Sequence, residues 1–319
     1  MTKNSCINHP PFAANRGDIR DLDVLVALVP IVAWAVFMFG WGTMLYVTIG
    51  VASSIVFELA AEICIYKAIG KDILNAVLIG LLISLSVSLE APVWLPVLGS
   101  AVGIFVAKYQ FVALAEYGSL FSPAALGMVV CGLYPENKYV FVDDLRNALY
   151  PEDGMLNVFL GNTEGALGTV SAMLIAVAAV YLVCRKALSI KTLISALVVM
   201  SALSLTIVPS WTTFSDNMIY QVIGGGFLFY LVFAACDRIG SPMSEAGKLI
   251  YGAGFAAVVF FLRLYTSVPA CEAVGVIIMN LFTPLLDAYT RQSPFGGGVV
   301  RQAKEENKMP AKNEKQTEK

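Results

Sequence analysis

No charged residue interrupts the chain between Val24 and Phe57. A helix needs roughly 20 apolar residues to cross the hydrocarbon of a bilayer, so this run is long enough for two, with the glycines of "FGWG" at 39–42 as the break between them. An amphipathic helix of a soluble protein would keep a charged face, and none is present here. The rest of the chain agrees. Soluble domains hold roughly a quarter of their residues charged, whereas here 14% are charged, 58% are hydrophobic and the mean hydropathy is +0.74. The chain therefore reads as a multi-span membrane protein, all-α, with the lipid bilayer as its solvent.

Apolar runs of span length can be placed at about ten positions. Two share the stretch from Val24 to Phe57, and others run from Ile73 to Leu89, Val93 to Val106 and Phe121 to Tyr134. Further runs begin near Leu167, Leu193, Met218, Leu249 and Val268. Charge tests the count, because cytoplasmic loops carry an excess of Lys and Arg. With both termini inside, 18 of the 21 basic residues fall on the cytoplasmic side, and only Lys138, Arg146 and Arg263 fall outside. The acidic segment "NKYVFVDDLRNALYPEDG" at 137–154 then faces outward.

These assignments divide the chain into a cytosolic leader over 1–20, a membrane domain over 21–296 and a tail over 297–319. Within the membrane domain, halves of 21–134 and 167–296 flank an outward loop at 135–156. The apolar stretch begins only at Val24, behind a polar leader with Pro10 and Pro11, and runs on without a small-residue cleavage pattern, which predicts a retained first span and not a removed signal peptide. The charged, aromatic-free tail is expected to be a disordered cytosolic extension.

Cysteine usage excludes more than it suggests. Cys6, Cys64, Cys131, Cys184, Cys236 and Cys271 are scattered singly, without the close spacing that iron–sulfur and structural zinc sites draw from one chain, a cluster shared with another subunit being the alternative. The lone His9 rules out a bis-histidine haem within the bilayer. No phosphate-binding loop, dinucleotide fingerprint or Ser/His/Asp set is present, no metal site is expected, and no nucleic-acid partner is expected. The glycines of "VIGGGFLFY" at 222–230 predict close helix packing.

An internal echo is more informative. Leu-Phe-Ser-Pro at 120–123 opens the fifth apolar run, and Leu-Phe-Thr-Pro at 281–284 closes the last. A proline in a span frees a backbone carbonyl that a neighbouring hydroxyl can satisfy. One such point per half, at Pro123 and Pro284, is the pattern of two five-helix inverted-repeat halves.

Ionisable residues within spans are costly and usually functional. Glu58 and Glu62, four apart and so on one helical face, are assigned with Asp237 to an ion path. For Glu62 an interfacial salt bridge with Lys67 is the alternative, and for Asp237 an interfacial pair with Arg238. Glu272 is expected to be solvated at the outer end of its span.

The second half resembles a known family. "IYQVIGGGFLFYLVFAACDRIGSPMSEAGKLIYG" followed by "LFTPLLDAYTRQSPFG" is similar to the D subunit of Rnf-type electron transport complexes and to its relative, the B subunit of the sodium-translocating NADH:quinone reductase. The family's Ala-Thr-Asp-Pro-Val-Thr-Ser-Pro is matched by Ala235, Asp237, Ser241 and Pro242. Its Asn-Leu-Phe-x-Pro-Leu-Ile-Asp is matched by Asn280, Leu281, Phe282, Pro284, Leu285 and Asp287. "YGSLFSPAALG" and "FLGNTEGALGTVSAM" resemble further family segments, so the likeness covers nearly all of residues 17–296.

That resemblance implies a ten-span fold and a subunit of an ion-translocating oxidoreductase, a translocase and not a stand-alone enzyme. It implies other membrane and peripheral subunits as partners, Na+ or H+ as the moved ion, and the plasma membrane of a bacterium or archaeon. It also implies FMN attached through a phosphodiester to a threonine in the loop between the fifth and sixth spans. Here the chain departs from the family. Between Cys131 and Asn162 there is neither serine nor threonine, and aligning "DDLRNALYPED" on the loop motif puts Ala148 on its alanine and Leu149 on the flavin threonine, a gapped placement being the alternative. Leucine has no hydroxyl to esterify. Thr163 and Thr169 lie near the next span outside an Ala-Thr context, and Thr169 stands where the family carries glutamate. Covalent FMN is thus not expected, and FMN or riboflavin is expected only in noncovalent form. Two readings follow: an electron-transport subunit without its covalent flavin, or a flavin-free structural or ion and solute transport module of the same fold.

Overall fold

The computed structural model describes residues 11–66, 73–110, 121–134, 159, 166–207, 221–224, 226–236, 240–266 and 270–290. Leu149, the segment 137–154, Thr163, Asp237, Lys67 and the tail lie outside the described residues. All regular elements described are helices. In chain order they are α1 (Pro11–Phe39), α2 (Gly42–Tyr66), α3 (Ile73–Leu85), α4 (Leu95–Val102), α5 (Pro123–Gly132), α6 (Ala172–Cys184), α7 (Ile190–Ile207), α8 (Phe227–Phe229), α9 (Glu245–Tyr265) and α10 (Cys271–Thr290). Two π-helical stretches extend them, Gly103–Gln110 after α4 and Tyr230–Ala235 after α8.

Four helices are long and apolar enough to cross a membrane: Ile19–Phe39 of α1, Gly42–Cys64 of α2, α9 and α10. Shorter apolar helices accompany them, as over Ile73–Leu85 and Ala172–Cys184. The break between α1 and α2 falls at Gly40, whose φ of +80° is the left-handed conformation that ends helices at glycine. Thr43 then donates its hydroxyl to Ala35 O at 3.3 Å and ties the two helices across the turn.

Small residues let backbones meet. A Cβ on Gly80 of α3 would lie 2.5 Å from Gly50 O of α2, and one on Gly127 of α5 would lie 2.7 Å from Gly99 O of α4. Helix association in lipid relies on such close packing and on hydrogen bonds, because apolar burial offers little advantage over lipid tails.

α3 stops at Leu85, short of a full span, and its freed carbonyls find donors in the other half of the sequence. Gly168 N donates to Leu85 O at 2.7 Å and Leu167 N to Val87 O at 3.1 Å. This satisfies carbonyls that the end of a helix leaves without intrahelical partners. The same segment leads into α6, whose Ser171 hydroxyl caps it by accepting from Leu174 N.

α8 lies at the centre. Gly226, at φ +76°, starts it, packed against Thr169, and every residue from Phe227 to Cys236 except Leu228 is buried. Phe227 stacks on Phe255 of α9 with ring centroids 5.6 Å apart. The close helix packing expected of the glycine-rich run is not what Gly226 provides: its neighbour is the Thr169 side chain, in the turn before α6, and its φ of +76° requires glycine by itself.

Candidate functional site

Two arginines from different helices flank the segment formed by α8 and the π-helical stretch that follows it. At its start, Arg263 of α9 donates through Nη1 to Gln221 O at 2.8 Å and Gln221 Oε1 at 2.9 Å, and through Nη2 to Gly224 O at 3.4 Å. Its charge is met by Glu272 of α10, with Nε 2.9 Å and Nη2 2.5 Å from Oε1. Both side chains are buried, at 5% and 6% exposure. The solvated Glu272 expected from the sequence is therefore corrected: Glu272 lies in the first turn of α10 and its carboxylate is buried against the Arg263 guanidinium.

At the other end, Arg20 of α1 donates through Nε to Ala187 O at 2.8 Å and through Nη2 to Cys236 O at 2.9 Å. These donors sit on one edge of the guanidinium, so two carbonyl oxygens from the second half converge on one cation supplied by the first. One turn on, Asp23 accepts from Arg185 Nε at 3.0 Å, with Nη2 at 2.9 Å, and lies 3.5 Å from the Tyr181 hydroxyl. The Asp23 hydrogen bond, reinforced by its charge, pushes the Arg185 pKa up.

A third node joins the two Leu-Phe-(Ser or Thr)-Pro sites. Pro123 occupies the first turn of α5, where its missing N–H costs nothing, and Ser122 precedes it in extended conformation. Pro284 lies inside α10, where the preceding Thr283 donates its hydroxyl to Gly240 O at 2.7 Å and Met279 O at 3.2 Å. Asn280, fully buried, has its amide oriented by its neighbours. The oxygen accepts from Ser122 N at 3.2 Å, and the nitrogen faces Tyr251 Oη at 2.7 Å and Gly240 O and Val276 O at 3.2 Å.

The sequence-assigned residues fall in several places. Glu58 and Glu62 are buried on α2, at 0% and 5% exposure, on the face that carries Gly50 and Ser54 towards α3. Ser54 donates to Ala76 O across that seam at 2.8 Å. Pro242 is buried and Ser241 half-buried beside the Asn280 node, and Asp287 accepts from Met243 N at 3.0 Å at the end of α10. The structure does not bring Glu58 and Glu62 to Asn280 or Asp287 through any contact described. Among the described residues, no three His, Cys, Asp or Glu side chains converge as metal ligands.

Arg20, Asp23, Arg185 and the Arg263–Glu272 pair escaped the sequence reading, which counted the arginines only as loop charge. Arg263 did carry a signal. It was one of three bases breaking the charge asymmetry, and an exception of that kind calls for a buried acid nearby.

Comparison with known proteins adds a family. The NQR2, RnfD, RnfE family matches residues 7–296. The D subunit of the Na(+)-translocating ferredoxin:NAD(+) oxidoreductase complex of Acetobacterium woodii is 25% identical over 292 residues, covering 86% of this chain and 89% of that protein. The D subunit of an ion-translocating oxidoreductase complex of Stutzerimonas stutzeri is 25% identical over 327 residues, 86% of this chain and 91% of that one. The corresponding D subunit of the proton-translocating ferredoxin:NAD(+) oxidoreductase complex of Clostridium ljungdahlii is 23% identical over 304 residues, 86% and 90% respectively.

Proposed function

The chain belongs to the NQR2, RnfD, RnfE family, and from that membership we propose that it is an integral membrane subunit of an Rnf-like complex coupling ferredoxin:NAD electron transfer to ion movement. The observation that carries the proposal is the extent of the likeness: relatives named as D subunits align over 86% of this chain and about nine-tenths of themselves. Na+ and H+ are both named among those relatives, so family alone leaves the ion open between the two. The complex would sit in the plasma membrane of a bacterium or archaeon, with further membrane and peripheral subunits as partners and both termini in the cytosol.

The proposed fold has ten spans in two inverted five-helix halves. Three features support it: one Leu-Phe-(Ser or Thr)-Pro site in each half, the charge asymmetry of the loops, and the shortened α3 and α8, as expected of discontinuous helices in repeat-built transporters. Glu58 and Glu62 would serve the ion path from α2, their burial at 0% and 5% supporting a cost that function repays. Asp237 is proposed to join them, although it lies outside the described residues.

Covalent FMN does not fit this chain. A phosphodiester needs a hydroxyl, and no serine or threonine lies between Cys131 and Asn162. Any FMN or riboflavin would be held noncovalently, and no electron-transfer step is assigned to a flavin on this chain. That same absence favours a second reading, in which the chain is a flavin-free structural or ion and solute transport module of the same fold.

The test is ferredoxin-dependent NAD reduction in membrane vesicles from cells with and without the gene. Loss of the activity on deletion, restored by the intact gene, supports the electron-transport subunit. Unchanged activity removes that reading in favour of the module.

A further inference from the structure

A crevice runs between the two halves beside the end of the π-helical stretch Tyr230–Ala235. It is lined by Val24 and Leu78 from one half and by Leu182, Leu188, Val232 and Phe233 from the other. Arg20 and Asp21 line it as well, together with Ala187 and Cys236, whose carbonyl oxygens accept from Arg20. In this state it leaves room for about one water-sized body.

Its polar wall has the composition of a site for a hard cation. The two carbonyl oxygens converge on one guanidinium edge, Asp21 is among the lining residues, and Cys236 ends a short π-helical stretch whose last carbonyls point there. Oxygen ligands of carbonyl and carboxylate type are those that small hard cations take. In the structure the positive charge at that place belongs to the protein itself.

We propose that Ala187 O, Cys236 O and the Asp21 carboxylate form an inter-half site for a monovalent cation, and that Arg20 is a tethered cation that closes it. When Arg20 withdraws, the carbonyls lose their donors and attract a small cation in its place, and the crevice opens beside α8. Arg20 is thus both latch and competitor. The site rests on the reading of the chain as an ion-moving subunit, but its test does not depend on partners being found.

Cys236 is a built-in reporter. It is 4% exposed and lines the crevice, whereas Cys64 and Cys184 are exposed and Cys131 is buried elsewhere. The experiment is site-resolved labelling of the full-length chain, purified with whatever subunits accompany it, by a membrane-impermeant maleimide and peptide mass spectrometry. In the unaltered protein Cys236 should label slowly, like Cys131. In Arg20→Ala it should label on the order of tenfold faster, the effect of shifting a local opening equilibrium. Adding sodium chloride in place of N-methylglucamine chloride at fixed ionic strength should slow that labelling again, and Asp21→Asn in the Arg20→Ala background should weaken the sodium protection.

Rapid labelling of Cys236 in the unaltered protein, or no acceleration in Arg20→Ala, overturns the latch. Acceleration without sodium protection overturns the cation site. Cys131 reactivity reports the fold in every sample. Should Arg20→Ala expose Cys131, Arg20→Lys replaces it, since an ammonium on a shorter stem cannot reproduce the two-donor edge. Copurification of partner subunits bears on the complex alone, so the two readings fail separately.

Discussion

The side-chain oxygen of Asn280 on α10 accepts the backbone N–H of Ser122 at 3.2 Å, just before α5. The residue immediately before Leu-Phe-Thr-Pro thus reaches the backbone of Leu-Phe-Ser-Pro. Pro123 begins α5, whereas Pro284 lies within the unbroken α10, and the Asn280 amide meets Ser122 N–H together with Gly240 O, to which Thr283 also donates.

Replacing Asn280 tests that contact. Asn280→Ala leaves Ser122 N–H and the Tyr251 hydroxyl short of a buried partner, a loss of about 1–3 kcal/mol per group. Thermal stability in mild detergent should fall clearly, and Asn280→Asp should not restore it, because a buried carboxylate cannot donate to Gly240 O. A thermal midpoint unchanged in Asn280→Ala would show that the node holds nothing together.

The Arg263–Glu272 pair makes a different prediction. Removing one partner of a buried ion pair strands the other and costs about 3–5 kcal/mol, whereas replacing both by apolar groups is often neutral. Glu272→Ala should thus destabilise strongly, and Arg263→Met/Glu272→Leu less so. Recovery should be incomplete, because Arg263 also donates to Gln221 O and Gly224 O. A double variant worse than Glu272→Ala would contradict this ordering.

Much of the fold was legible because apolar length and glycine placement are local. The run from Val24 to Phe57 and "FGWG" foretold α1, α2 and the turn at Gly40. Pro123, expected as a proline within a span that frees a carbonyl, stands instead in the first turn of α5, where its missing N–H frees nothing. The polar ties were not legible. Arg20 meets Ala187 and Cys236 far along the chain, and hydropathy does not reveal which face of α1 a charge occupies or which carbonyls await it. Asn280 was visible as a motif position only, since its partners Ser122, Gly240 and Tyr251 converge through folding.

The α2–α3 seam predicts a steric effect. A Cβ at Gly80 would stand 2.5 Å from Gly50 O, and backbone cannot step aside as a side-chain end can. Gly80→Ala should lower stability by about 1–3 kcal/mol, as overpacking does. Trimming Ser54 to alanine in the same protein should not rescue it. Full rescue would place the clash on the Ser54 hydroxyl alone.

The buried acids of α2 predict a functional effect. Glu58→Gln and Glu62→Gln keep shape while removing charge, so stability should change little. Ion dependence of coupled transport in vesicles should weaken, most for Glu58, which is the more deeply buried. Coupled transport left intact by both, and by Asp237→Asn, would remove these acids from the ion path.

The proposed place of this chain is in an Rnf-like complex, without covalent flavin of its own. It is tested most directly by affinity purification of the tagged chain from its native membrane, followed by mass spectrometry of every polypeptide recovered. The account predicts Rnf-like partner subunits in fixed proportion, and a mass for this chain that carries no added FMN. Recovery of the chain without such partners, or an FMN adduct on any of its peptides, would contradict it.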